Sequence, residues 1–335
     1  MSGGKPPESM GKYKVVYTDN IYKDNEIEFR RFGEMGYDFH VVTSGHDEAT
    51  LIEECRDADA VMLSFVDMNE NIINAMEKCK IIVRCGMGFN NVNIPAATKR
   101  GIMVANVQKY FLEEVSDHAI ALMLTLIRKT GFLSRQLREG NWNPALARPI
   151  PRMSDLTFAL YGLGGISSRV AAKAKAFGME VVAYDPFLPA EYFEQMGVRR
   201  IENEDELYKI ADVLSIHLPL NEATANIVNY EKFKLMKPTA IFLNTARGGL
   251  VNEADMIRAL QEGVIGGAGL DVLADEFPEM SNPLFQMDNV VVTPHIAYYS
   301  EGSDVDLRNY ACDQVIQALE EGAPQFFLNK KELGR

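Results

Sequence analysis

With 335 residues, 47% of them hydrophobic and 24% charged, the chain is long enough for two domains and has an ordinary globular composition. A formal net charge of −13 argues against nucleic acid as a direct partner, and the longest strongly apolar run, residues 119–127, is far too short to span a bilayer. Cys55, Cys79, Cys85 and Cys312 show neither C-x-x-C nor histidine spacing, so neither a metal site nor a disulfide framework is expected.

Residues 1–12, MSGGKPPESMGK, are polar, read as a disordered tail and lack the apolar core of a signal peptide; the expected location is the cytoplasm. From residue 13 to about 105, the predicted strands KVVY, FHVV, AVML, IIVR and MVAN alternate with helical stretches near 27–35, 49–55, 70–76 and 95–100. Such alternation predicts a small parallel sheet with helices on both faces. Its joint RCGMGFNNVNI sets Gly86 and Gly88 just past a strand, where open α/β sheets bind ligands. Residues 111–139 predict one long helix, apolar at Val115, Ala119, Leu122, Leu126 and Phe132 and long enough to bridge two domains. Pro144, Pro149 and Pro151 cannot continue it.

Residues 157–187 form the next unit: a buried strand (158–161), a turn on Gly162 and Gly164, a helix (166–177), and a strand (181–184) ending on Asp185. In such a βαβ start the first glycine makes the tight turn, the second admits a pyrophosphate, and the opening of the helix receives its charge. Asp185, 23 residues after Gly162, can accept hydrogen bonds from ribose hydroxyls and would repel a 2′-phosphate, which predicts NAD over NADP. Ser167 stands where glycine or alanine is usual, and its hydroxyl can bond a nearby carbonyl or phosphate.

Beyond Asp185, VLSIH, AIFLN, GAGL and VVVT, with helices near 204–210 and 253–262, predict a mostly parallel sheet of about six strands. An amphipathic helix (304–321) and a short polar tail close the chain. Strand exits carry Arg247, Glu276 and His295. Carbonyl reduction by a nicotinamide needs a fixed cation beside the oxygen and an acid that delivers a proton. Arg247 offers a planar fork for a carboxylate or carbonyl; His295 is the proton donor, with Glu276 favouring its imidazolium and fixing its tautomer. Each alone has a plainer explanation, as a surface charge, a solvated acid or a turn cap; together, downstream of a nucleotide turn, they point to one site.

The motifs GLGGIS with Asp185, HLPLN, NTARGGLVNE, GLDVLADEFP and TPHIAYYS together resemble the D-isomer-specific 2-hydroxyacid dehydrogenase family across residues 13–321. The resemblance implies that Arg247, Glu276 and His295 are the catalytic set, with two doubly wound parallel-sheet domains: a central Rossmann NAD-binding domain (107–301) and a flavodoxin-like substrate domain from both chain ends (13–106 and 302–335). It further implies a cleft that closes on ligand and a homodimer joined through the NAD domains. NAD contacts carried over are Gly162, Leu163, Gly164, Gly165, Ile166, Ser167, Asp185, His217, Leu218, Pro219, Asn221, Thr245, Ala246, Arg247, Asp271, His295, Ala297 and Tyr298. His217 reads equally as a strand-end histidine satisfied by backbone. Arg84, Gly86, Met87, Arg247 and Tyr298 would face the substrate.

Within the family, VQKYFLEEVSDHAIALML and HIAYYSEGSDVDLRNYA are most similar to the C-terminal-binding-protein subgroup, with Tyr298 where tryptophan is more usual in animal members. Asn90 and Asn93 replace frequent acids. The expected activity is NAD-dependent reduction of a 2-oxo acid to a D-2-hydroxy acid, or the reverse. The rival is an NAD(H)-sensing binding module on the same fold. A regulatory phosphoglycerate dehydrogenase is less expected, since no effector domain follows residue 335.

Overall fold

The computed structural model describes residues 11–19, 24–43, 47–108 and 110–334. Two compact units emerge, one from Met1–Tyr110 with Ser300–Arg335, the other from Phe111–Tyr299. The first begins with β1 (Lys14–Tyr17), α1 (Glu26–Glu34), β2 (Asp38–Val41), α2 (Glu48–Cys55), β3 (Ala60–Leu63), α3 (Glu70–Ala75), β4 (Ile81–Arg84), α4 (Ile94–Lys99) and β5 (Met103–Asn106). Its described strands pair in parallel in the order β2-β1-β3-β4-β5, the flavodoxin-like arrangement. Alternate side chains feed opposite cores: Val15 and Tyr17 pack on one face, Val16 on the other with Leu51, Ile72 and Ala96 from α2, α3 and α4. Asp47, Asn69 and Asn93 start those three helices by accepting backbone N–H bonds. Capping explains why asparagine serves at 93, since an amide oxygen caps as well as a carboxylate.

The second unit opens with α5 (Leu112–Ile127) and α6 (Thr130–Arg138). The single helix expected over 111–139 is therefore two, broken where Lys129 adopts φ 55°. Burial gives the reason: α5 buries Val115, Ala119, Leu122 and Met123 against the sheet, whereas α6 buries nothing. There follow β6 (Thr157–Tyr161), α7 (Gly165–Ala176), β7 (Glu180–Tyr184), α8 (Ala190–Met196), β8 (Arg199–Arg200), α9 (Glu204–Ile210), β9 (Val213–Ile216), α10 (Tyr230–Phe233), β10 (Ile241–Asn244), α11 (Glu253–Gln261), β11 (Gly267–Leu270) and β12 (Val290–Val292). Among the described residues the sheet has seven parallel strands rather than about six, in the order β12-β11-β10-β9-β6-β7-β8. The extra strand is the two-residue edge β8, too short to register as a pattern. From β6 the chain winds outward to β8, then returns to β9 on the other side of β6. The Rossmann switch point thus lies at the carboxyl ends of β6 and β9.

The last helix, α12 (Glu301–Glu320), groups with the first unit, burying Leu307, Ala311, Val315 and Ala318 beside β1 and β4 residues. It starts on a reciprocal Ser300–Ser303 capping box. The segment after it, expected as a short polar tail, is partly buried. Phe327 and Asn329 are both 1% exposed, and the Asn329 side chain bonds the Val104 N–H, the Ile102 carbonyl and the Thr98 hydroxyl. Of the tail expected at 1–12, residues 1–10 lie outside the described residues; Gly11 packs against Asp38, and the Lys12 amide donates to the Gly36 carbonyl.

Candidate active site

The turn after β6 has the shape a dinucleotide requires. Gly162 sits at φ 87°, and a Cβ there would stand 2.7 Å from the His217 carbonyl oxygen, so glycine is obligatory. Gly164 caps α7 without a side-chain bond, and a Cβ on it would meet nothing within 4 Å. Open space therefore faces a helix start whose first turn carries no acid, the electrostatic setting for a phosphate. Ser167 is fully buried and donates to the Gly164 carbonyl, fulfilling the role its small size predicts. Asp185, at the end of β7, accepts from the Leu163 and Phe187 amides and so ties the glycine turn to the exit of β7. The His217 ring bonds Ser215 Oγ at 2.9 Å, a side-chain rather than backbone partner, and burial pushes its pKa down to about 4.

At the exit of β10, Asn244 folds the loop back on itself: its side chain receives the Ala246 N–H and donates to the Arg247 carbonyl. Arg247 is half-buried, and its Nη1 donates to the Ala246 carbonyl at 2.6 Å. Thr245 is 7% exposed, and its hydroxyl is a buried polar atom without a protein partner. An orphaned hydroxyl in this loop, the glycine turn and Asp185 are together compatible with a bound dinucleotide.

The exits of β11 and β12 meet at a turn. His295 Nδ1 and Glu276 Oε1 lie 2.5 Å apart. A carboxylate can only accept, so Nδ1 carries the hydrogen and Nε2 is left to exchange a proton. His295 has φ 51°, a left-handed backbone rare outside glycine. The Tyr298 ring stands edge-on to the imidazole at 6.4 Å. Asp271 is buried and spends both carboxylate oxygens on this turn, receiving the Ile296 and Ala297 amides and the Thr293 hydroxyl. A cavity of about 610 Å³ borders the His295–Glu276 pair, walled by Leu273, Phe277, Met280, Leu284 and Phe285.

In the first unit, Arg84 ends β4 and lies across Gly86: at φ 139°, a Cβ on Gly86 would fall 1.6 Å from Arg84 Nη1. The guanidinium faces the Phe65 ring at 5.9 Å, and its Nε is buried without a hydrogen-bond partner. Met87 is 40% exposed, its carbonyl held by the Asn106 amide.

The family model described as D-isomer specific 2-hydroxyacid dehydrogenase, NAD binding domain, matches residues 120–297, over half of the chain. The chain belongs to this family. Glycerate dehydrogenase of Methylorubrum extorquens is 32% identical over 93% of this chain and 98% of its own length. D-3-phosphoglycerate dehydrogenase of Methanocaldococcus jannaschii is 34% identical over 91% of this chain but 57% of its own length. The chain spans about half the length of the phosphoglycerate dehydrogenases it matches, 50–58% of each. Among solved structures, D-lactate dehydrogenase from Aquifex aeolicus, complexed with NAD and lactic acid, superposes with a TM-score of 0.79 at 28% identity, covering 92% of this chain and 96% of that one. Residues 120–297, which the NAD-binding-domain model matches, include β6 to β12. No helix among the described residues is long and apolar enough to cross a membrane.

From sequence, His118 has no assigned role and Thr293 appears only as part of the run that follows β12. His118 sits in a stretch read only as an apolar helix, while its partners Thr293 and Asp271 are more than 150 residues away. Only a fold that packs α5 on β11 could have revealed the cluster.

Proposed function

We propose that the protein reduces a 2-oxo acid to a D-2-hydroxy acid, and catalyses the reverse, with NAD(H) as redox partner. The observation that carries this reading is the His295 Nδ1–Glu276 Oε1 pair at 2.5 Å on a turn held at positive φ. When bound, reduced nicotinamide supplies the hydride for the carbonyl carbon. The Arg247 guanidinium binds the substrate carboxylate and steadies the negative charge that grows on the carbonyl oxygen. His295 Nε2 delivers the proton to that oxygen, while Glu276 keeps the hydrogen on Nδ1 and fixes the ring. In the oxidative direction neutral Nε2 takes the proton back.

Asp185 accepts ribose hydroxyls and selects NAD; Arg84, Gly86, Met87 and Tyr298 are the further substrate contacts this reading assigns. The names of the relatives, dehydrogenases of glycerate, phosphoglycerate and lactate, support a small 2-oxo acid and favour catalysis over a purely ligand-sensing role. The same reading carries a cytoplasmic homodimer. NADH oxidation against a panel of 2-oxo acids tests it, with glyoxylate, hydroxypyruvate, pyruvate and branched-chain acids as the probes. Expected is saturable turnover with at least one acid, and a loss of about 10²-fold or more in His295→Ala with NADH binding retained. NADH binding without turnover of any acid would overturn it.

A further inference from the structure

His118 Nε2, on α5, stands 2.8 Å from Thr293 Oγ1 and 3.6 Å from Asp271 Oδ1. The direction of these bonds follows from the groups themselves. Asp271 as a carboxylate accepts only, so the single hydroxyl hydrogen of Thr293 goes to Asp271 Oδ1, 2.5 Å away. The Thr293 oxygen is then left to accept, which puts a hydrogen on His118 Nε2. Donation runs one way, from His118 through Thr293 to Asp271.

Asp271 passes this order on to the catalytic turn. Its carboxylate receives the Ile296 amide at 3.0 Å and the Ala297 amide at 2.9 Å, and its own carbonyl receives the His295 amide at 2.8 Å. A left-handed histidine persists only where its surroundings over-determine it. Here Asp271 grips the turn through backbone and side chain together.

The fold brings His118 to this place through one glycine. A Cβ on Gly269 of β11 would stand 2.8 Å from a Leu243 methyl and 3.0 Å from the Leu122 Cβ, so α5 can lie close against β11 only because residue 269 has no side chain. Asp271 lies two residues beyond Gly269, about 6.6 Å along a strand, and His118 lies four residues before Leu122, about 6 Å along a helix. The two rises match, and the side chains meet. Packing does not require a histidine there: its side chain is 23% exposed, whereas Ala119 and Leu122 beside it are buried and hold the helix.

We infer that His118 is a positioning residue for His295, acting through Thr293 and Asp271 to hold the turn that presents the catalytic imidazole. The inference rests on the reading of His295 as proton donor, and its test keeps the two apart. His118→Leu and Thr293→Val cut the chain of bonds; His118→Gln, whose amide reaches the Nε2 position, and Thr293→Ser preserve it. Hydrogen exchange of the Ile296 and Ala297 amides is followed in the full chain without cofactor, beside kcat and the KM for NADH.

Both cutting variants should speed exchange of those amides about 10-fold and lower kcat by a similar factor, with the KM for NADH within about 2-fold. Both conservative variants should restore exchange and kcat. Unchanged exchange in His118→Leu, or a glutamine that fails to rescue, would overturn the inference. A wild-type chain that turns over no 2-oxo acid would sink the catalytic reading alone, and the exchange result would still decide whether His118 holds the turn.

Discussion

A Cβ built on Gly248 would lie 1.8 Å from the carbonyl oxygen of Leu273. Two bare backbones therefore touch, one leading from Arg247 and the other into Glu276. The contact registers the guanidinium loop against the carboxylate loop without any side chain between them. Gly248→Ala must push these backbones apart, and overpacking of this kind costs about 1–3 kcal/mol. Urea unfolding should report that loss, and turnover should fall by about 10²-fold as the two loops lose register. An alanine variant with wild-type stability and kcat would show that the contact does not matter.

Asp185 does two jobs, capping the glycine turn through the Leu163 amide and presenting a carboxylate at the end of β7. Asp185→Ala should raise the Kd for NADH about 10-fold, near 1.4 kcal/mol, with a smaller effect on kcat at saturating cofactor. It should also narrow the preference for NADH over NADPH, because the charge that repels a 2′-phosphate is gone. Fluorescence titration with both cofactors measures each effect. His295→Ala should leave the same titration unchanged, and equal loss of cofactor binding in both variants would contradict this division of labour.

Strand exits explain how much of the site was legible. Arg247, Glu276, His295 and Asp185 each lie within six residues of the end of a parallel strand, and parallel strands announce themselves as apolar runs. What could not be read depends on contacts remote in sequence. The break at Lys129 is invisible because the apolar spacing continues through it, although nothing past it finds a core. Asn329 looked like tail because its burial depends on the open edge of β5, more than 220 residues earlier. Asp271 was read from its motif as a cofactor contact; its bonds to Thr293, Ile296 and Ala297, which also hold the His295 turn, were beyond the reach of the motif.

The return of α12 to the first unit is secured by a buried ion pair. Arg308 Nε and Nη2 bond the two carboxylate oxygens of Glu28 at 2.8 and 2.7 Å, with side chains 7% and 0% exposed. Without Glu28 the buried guanidinium keeps only the Asp24 carboxylate, 3.2 Å from Nη2 and half-exposed, so Glu28→Ala should approach the cost of about 3–5 kcal/mol for a broken buried pair. Replacing both, as Glu28→Leu with Arg308→Met, should recover most of that loss, because neither charge then needs compensation. Denaturant unfolding of the two single variants and the double variant gives the coupling directly. Additive losses would mean the pair contributes nothing as a pair.

His217 ties stability to pH in a defined window. Burial lowers its pKa in the folded chain to about 4, against about 6.5 when unfolded. Above pH 6.5 the ring is neutral in both states and contributes no slope. As pH falls from 6.5 towards 4, the unfolded chain takes up a proton that the folded chain refuses, and stability is lost by up to about 3 kcal/mol. Below 4 the folded chain is protonated too and the slope disappears. His217→Gln keeps a polar group beside Ser215 but cannot titrate, so the difference between the wild-type and variant unfolding curves should be flat above pH 6.5 and close progressively between 6.5 and 4. A wild-type chain that instead loses stability relative to the variant as pH rises above 7 would mean the folded imidazole is stabilised in its charged form, contrary to its partial burial beside the glycine turn.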